Sequence, residues 1–331
     1  MPCTVVVGGF FGDEGKGHIV SYLALNDRVD VTVRTGSVNA GHTVVWKGKE
    51  YGLRTVPASF VNENSRLYLG SGFNLNPRIF FQEIELTGTT GRIWVDRQCS
   101  IIDAEHIQRD QASGGRIGTT GQGVGPSIED RVKRVARLAK DVPELTPYLA
   151  DVPYEVNASL DRGEKVLLEG SQGTFLSLFH GTYPYVTARD TTSSAVCSEV
   201  GVGPKRVDDV LLVFKAFVSR VGKGPLEGEL SREEALKRGW LEVATVTRRE
   251  RRAASFNLGL ARRAVMLNSP TQLALTKLDI VFPECRGVHG QNQLTAEAKE
   301  FVAGIEDALG VTVTLIGTGP NVEDVIDRRR G

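Results

Sequence analysis

The chain has 331 residues, with 40 Lys and Arg balanced by 40 Asp and Glu, and is 40% hydrophobic. Zero net charge argues against nucleic acid as the main partner, because phosphate-backbone binding normally leaves a basic excess. No apolar run approaches the roughly 20 residues that span a bilayer, so no membrane partner is expected. The length suits one large α/β domain with loop insertions, spanning 1–331.

In chain order, the β-branched run Thr4–Val7 reads as a strand, without the layout of a secretory leader. It ends in glycines and is followed by a helical pattern over Gly17–Leu25. Further strands read at Val31–Arg34, Thr43–Trp46, Arg66–Leu69, Val166–Glu169, Val210–Phe217, Gln272–Thr276 and Thr312–Ile316. Helices read at Asn76–Leu86, Ser127–Lys140, Tyr154–Asp161, Thr191–Val200, Arg232–Arg238, Asn257–Leu267 and Ala296–Leu309. This alternation predicts an α/β fold whose central, mostly parallel sheet is flanked by helices. The Gly/Thr-rich stretch Ala112–Pro126 reads as a binding loop. Cys3, Cys99, Cys197 and Cys285 are scattered, with no Cys-x-x-Cys pair, and read as reduced thiols of a cytoplasmic protein.

Gly8–Gly17 (GGFFGDEGKG) lies between the first strand and the first helix. Glycines let backbone N–H groups converge on phosphate oxygens, and Lys16 would add a point charge. The loop is P-loop-like but departs from Gly-x-x-x-x-Gly-Lys-Ser/Thr. Gly17 stands where the hydroxyl should be, and Asp13 and Glu14 sit inside the loop. A carboxylate beside polyphosphate is repelled unless a metal or a proton transfer employs it.

Gly12–Gly17 (GDEGKG) resembles the signature loop of the adenylosuccinate synthetases. Asn39–Thr43 (NAGHT), Gly118–Pro126 (GTTGQGVGP), Glu169–Thr174 (EGSQGT), His180–Thr187 (HGTYPYVT), Thr276–Asp279 (TKLD) and Gly317–Pro320 (GTGP) resemble its other signatures, in order from first strand to last. The likeness is to the short archaeal form, and a viral branch related to that form aminates dGMP instead of IMP.

The resemblance implies a ligase that joins L-aspartate to carbon 6 of a purine nucleotide, after a nucleoside triphosphate has phosphorylated the ring oxygen. It implies Asp13 as ring base, His42 as acid on the transferring phosphoryl group and Gln172 as holder of the 6-oxyanion. Magnesium would bind Asp13 and the Gly41 carbonyl. Gly12, Glu14, Gly15, Lys16, Gly17, Gly41, Thr43, Lys277, Asp279, Gly317 and Gly319 would bind the triphosphate. That donor is expected to be GTP, with ATP as the alternative, because the Asp279 carboxylate can accept from guanine N1–H and N2–H. Asn39, Thr119, Thr120, Gln172, Thr187, Val221 and Arg249 would bind the acceptor nucleotide. Arg134 would reach a neighbouring subunit's site, which makes a homodimer the expected partner. Thr245, Val246, Thr247, Arg249 and Arg251 would capture aspartate, whose carboxylates suit guanidinium forks.

Several positions depart from the family pattern. Thr35–Val38 is one residue shorter than its glycine-rich counterpart, Phe10 and Phe11 replace a polar and a larger aromatic residue, and Glu250 interrupts the arginine run after Arg248. Leu226–Glu229 replaces a Phe-Pro-Thr-Glu segment. Changes around ring and ribose with the catalytic residues intact favour dGMP over IMP as acceptor. The retained Asp13 counts against that choice, since many members of the viral branch replace it. A GTPase-like switch would share the glycine loop and Thr276–Asp279, but would not require Asn39–Thr43, Gly118–Pro126 or the arginines.

Overall fold

The computed structural model describes residues 2–113, 115, 117–244 and 249–330, without the side chains of 113 and 330. Its spine is a ten-stranded sheet. In spatial order the strands are Val325–Asp327, Val313–Gly317, Gln272–Thr276, Asp209–Lys215, Cys3–Gly8, Val166–Gly173, Val31–Arg34, Arg66–Leu69, Ile93–Asp96 and Leu149–Ala150. Only Val325–Asp327 runs antiparallel to its neighbour.

Helices cover both faces, which is why the strands read as near-continuous apolar runs. Val5 and Val7 pack into one cluster with Val33, Leu168 and Leu212, whereas Val6 packs into the other with Leu67, Leu167 and Leu211. This is strand alternation with both sides buried, each such side chain contributing about 1.5–3 kcal/mol.

Three strand readings, Val31–Arg34, Arg66–Leu69 and Gln272–Thr276, agree residue for residue with the structure, as does the Ala296–Leu309 helix. Four readings are corrected. Thr43–Trp46 belongs to a separate hairpin, His42–Trp46 with Lys49–Leu53. Val210–Phe217 divides into Asp209–Lys215 in the main sheet and Phe217–Arg220 in a small antiparallel sheet with Glu242–Val243 and Glu250–Ser255. The Ser127–Lys140 helix is Val124–Lys133, closed when Arg134 turns left-handed (φ 65°) and Val135 N–H reaches back to the Asp130 carbonyl. Past that point Val135 is 71% exposed, so nothing apolar would hold a further turn to the core. The Ala112–Pro126 loop is shorter than read, because the Ala104–Ser113 and Val124–Lys133 helices encroach on both ends. No helix among the described residues is long and apolar enough to cross a membrane.

Candidate active site

Five loops leave the carboxyl ends of the parallel strands at one edge: Gly8–Gly17, Thr35–Gly41, the turn after Gly173, Lys277–Asp279 and Gly317–Gly319. Open α/β sheets bind ligands at that edge, beside the strand where the connections change direction. Here that strand is Cys3–Gly8, flanked by Val166–Gly173 and Asp209–Lys215.

The glycine loop is organised from within. Glu14 Oε1 accepts the N–H groups of Phe10 (2.9 Å) and Gly12 (2.8 Å), and Glu14 Oε2 pairs with Lys16 Nζ at 2.9 Å. Burial opposes ionisation of Glu14, but Lys16 and these donors outweigh it and hold the carboxyl below its ordinary range. Gly17 is dictated by space. A Cβ there would lie 2.8 Å from His42 Cβ and 3.1 Å from the Thr43 carbonyl, so no hydroxyl-bearing side chain fits. Gly15 takes a positive φ of 78° against Thr276, whose Oγ1 donates to the Glu14 carbonyl (2.6 Å).

A cavity of about 230 Å³ opens in front of this loop. Gly12, Asp13, Asn39, Gly41 and Gln172 line one side, and Arg249 and Arg251 line another. Thr119, Thr120, Thr187 and Val221 form further wall, and Thr187 Oγ1 is buried without a protein partner. Asp13 Oδ1 pairs with Arg251 Nη2 at 2.8 Å, while Asp13 Oδ2 is buried and unpartnered. Burial pushes the Asp13 carboxyl up, against Arg251 and Lys215.

His42 stands behind this wall. Its Nδ1 lies 2.5 Å from Glu169 Oε1 and its Nε2 3.3 Å from the Ser171 carbonyl. Burial and the Arg34 guanidinium pull the ring down to about 4 against Glu169. An uncharged ring donates from one nitrogen only, so a carboxylate and a carbonyl facing its two nitrogens leave one contact unmade. Gln172 Nε2 donates to Asn39 Oδ1 (3.1 Å).

The arginine run obeys strand geometry. Glu250 points outward and pairs with Arg232 at 2.7 Å, while Arg249 and Arg251 on either side point inward. Glu250 therefore interrupts the run without entering the cavity. Arg249 donates to the carbonyls of Thr119 (3.0 Å) and Gly118 (3.3 Å). Thr245, Val246 and Thr247 lie outside the described residues.

The remaining expected residues lie elsewhere. Lys277, Asp279, Gly317 and Gly319 share the sheet edge but belong to the neighbouring strands, and Asp279 Oδ1 is buried without a partner. Arg134 is exposed, at the tip of its helix and away from the cavity. Leu226–Glu229 is turned away as well: Leu226 packs in the core and Glu229 pairs with Arg252. Thr35–Val38 is buried behind Asn39.

The sequence alone assigns no role to Arg34, Glu169, Lys215 or Glu242. Lys215 Nζ pairs with Glu242 Oε2 (2.5 Å), and that same oxygen accepts from Arg251 Nη1 (2.9 Å). Arg34 Nη1 stands 3.8 Å from Glu169 Oε1, both fully buried. The available signal was a charged residue closing each of three apolar strands, at Arg34, Glu169 and Lys215.

A family model described as adenylosuccinate synthetase matches residues 5–144 and 135–285. An adenylosuccinate synthetase of Archaeoglobus fulgidus is 49% identical over 334 residues, covering 100% of this chain and 99% of the relative. The chain belongs to the adenylosuccinate synthetase family. The Methanocaldococcus jannaschii synthetase is 47% identical, with 99% and 97% of the two chains covered. The fully ligated Plasmodium falciparum adenylosuccinate synthetase shares the fold at TM-score 0.89 and 24% identity, over 98% of this chain and 99% of that one. The cyanophage S-2L succinoaminodeoxyadenylate synthetase, solved with dGMP and with dATP as energy donor, aligns at TM-score 0.85 and 26% identity, over 99% and 95%. As a member of the adenylosuccinate synthetase family, the protein is a ligase that forms a C–N bond.

Proposed function

We propose that this ligase condenses L-aspartate with dGMP, giving N6-succino-2-amino-2'-deoxyadenylate, with GTP as phosphoryl donor. The observation that carries the choice of acceptor is the character of two side chains that line the cavity, Val221 and Arg249. Of these two residues assigned to the acceptor nucleotide, Val221 is apolar and Arg249 directs its fork to the Gly118 and Thr119 carbonyls. Neither side chain carries an acceptor for the proton of a ribose 2'-hydroxyl, so a deoxyribose forfeits no side-chain acceptor at this wall.

The chemistry follows from the side chains. Asp13 takes the N1 proton, and O6 attacks the γ-phosphorus as the P–O bond to the leaving diphosphate breaks. The Gln172 amide steadies the oxygen as charge builds on it. The aspartate amine then attacks C6 and gives up a proton as the C6–O bond breaks, and phosphate departs with the former O6 and that proton. Arg249 and Arg251 grip the aspartate carboxylates, which requires Arg251 to exchange Asp13, and Arg249 the Gly118 and Thr119 carbonyls, for substrate. Polyphosphate close to His42 opposes the Arg34 charge and favours the imidazolium, whose Nε2–H leaves the Ser171 carbonyl to donate to the transferring group while Nδ1–H stays on Glu169.

The donor set fits magnesium, which takes one or two protein oxygens and completes its shell with phosphates and water. Asp13 Oδ2, buried and unpartnered, and the Gly41 carbonyl would hold it. Bound there, the ion neutralises phosphate charge. Asp279, with its own unpartnered buried oxygen, would read the guanine of GTP. Arg134, exposed and clear of its own cavity, would complete the site of a second copy in a homodimer.

A second reading, IMP as acceptor and adenylosuccinate as product, is favoured by the full-length identity of 49% with the Archaeoglobus fulgidus adenylosuccinate synthetase. Parallel assays of dGMP, GMP and IMP, each with aspartate and either GTP or ATP, decide between them by product mass and phosphate release. Higher kcat/KM for IMP than for dGMP overturns the dGMP reading.

A further inference from the structure

The loop that precedes Asn39 carries a buried hydroxyl, that of Ser37. Ser37 is fully buried, and its Oγ lies 2.6 Å from Asn39 Oδ1. That separation is short for an N–H donor and ordinary for O–H···O, so the hydroxyl donates and the Asn39 atom facing it is oxygen. Gln172 Nε2 donates to the same oxygen at 3.1 Å. One amide oxygen therefore accepts twice, and both amide planes are fixed.

Gly36 makes this possible. It adopts φ 105°, and a Cβ there would lie 2.5 Å from Ser171 Cβ, so only glycine lets the loop close on the Ser171–Gln172 strand end. The Gln172 carboxamide oxygen turns toward Gly36, 3.2 Å from where that Cβ would stand. With its oxygen on the Gly36 side and one N–H spent on Asn39, Gln172 keeps a second N–H for a ligand. Reversed, the amide would present an oxygen to a developing oxyanion and repel it.

We propose that Ser37 is a positioning residue for the amination: by donating to Asn39 Oδ1 it sets the orientation of the Gln172 amide, so that an N–H meets the acceptor's 6-oxygen. The inference rests on the reading of Gln172 as holder of that oxygen. A hydroxyl acting this way through a ligand-binding group changes kcat far more than KM, because the contact strengthens as negative charge develops.

The test is a double-mutant cycle of Ser37→Ala and Gln172→Ala in the full-length protein, with kcat and KM measured for the preferred nucleotide and folding checked by thermal melting. Expected is a fall in kcat of about tenfold for Ser37→Ala, the scale typical of groups that orient a ligating side chain. KM should stay near the parent value, Ser37→Thr should restore most of the rate, and Ser37→Ala should add nothing in the Gln172→Ala background. An equal effect in both backgrounds, or no effect in either, overturns the proposal. If Gln172→Ala keeps full kcat, the reading of Gln172 itself fails. If Gln172→Ala loses rate while Ser37→Ala does not, only the inference about Ser37 fails. Should Ser37→Ala not fold, Ser37→Cys, of similar volume and a far weaker donor, takes its place with the same outcomes.

Discussion

Arg251, carried by a strand of the small antiparallel sheet, sets its Nη2 2.8 Å from Asp13 Oδ1 of the glycine loop. The same guanidinium reaches Glu242 through Nη1 at 2.9 Å, so one side chain joins the loop to the Lys215–Glu242 pair. An arginine proposed for aspartate capture is thus held at the proposed ring base.

Replacing Arg251 by Ala removes a charge-assisted fork worth about 1.5–3 kcal/mol, roughly a ten- to hundredfold change in an equilibrium. The KM for aspartate should rise by that factor while the KM for the purine nucleotide changes little. Initial rates across an aspartate series test this. An unchanged aspartate KM would remove Arg251 from substrate capture.

Asp13→Asn keeps size and polarity but cannot take the N1 proton. Loss of a general base lowers kcat by about 10²–10⁴. Because Asp13 already carries a buried, unpartnered oxygen, the melting temperature should not fall in parallel. A variant that retains normal turnover would show that another group deprotonates the ring.

Glu242 links the site to acid stability. Burial alone would raise its carboxyl, but Lys215 and Arg251 outweigh burial and hold it at about 2 against an ordinary 4.5. A carboxyl depressed in the folded state stabilises fully above its unfolded value, and that contribution is lost as pH falls from 4.5 toward 2. Glu242→Gln should therefore flatten the pH dependence of denaturant unfolding across that window. It should also cost about 3–5 kcal/mol at neutral pH, because the buried Lys215 keeps its Ser219 contact but loses its carboxylate partner. Parallel pH profiles of variant and parent would refute this.

Asp279→Asn exchanges an acceptor-only group for one that also donates. Its NH2 would meet guanine N1–H and N2–H unfavourably, so the KM for GTP should rise tenfold or more while that for ATP does not. Measuring both donors at saturating acceptor and aspartate decides it. Equal effects on the two would place Asp279 outside the donor base pocket.

Much of the architecture could be read along the chain because its signals are local. Arg66–Leu69 and Gln272–Thr276 are short apolar runs closed by turn residues, and Ala296–Leu309 has a Thr295 cap and a Gly310 stop. The failures were equally local in cause. Val210–Phe217 is apolar except for Lys215, yet it serves two sheets, and that single charge does not by itself announce a change of partner. His42–Trp46 alternates like any strand, and only its pairing with Lys49–Leu53 removes it from the main sheet. At the site, the residues quoted with their loops could be named from order alone, whereas Lys215 and Glu242 could not, being 27 residues apart and meaningful only as a pair.

The order of residues alone determined the alternating strands and helices, the glycine loop with a carboxylate inside it, and the arginines spaced two apart around Glu250. Those features depend on backbone periodicity and on which residues tolerate a turn, and both are written within a few positions. Only the folded chain decided that Arg251 would rest on Asp13, that Ser37 would grip Asn39, and that Leu226–Glu229 would face away from the cavity. These depend on which strand ends come to lie side by side, a property of long-range pairing that no short stretch of sequence carries.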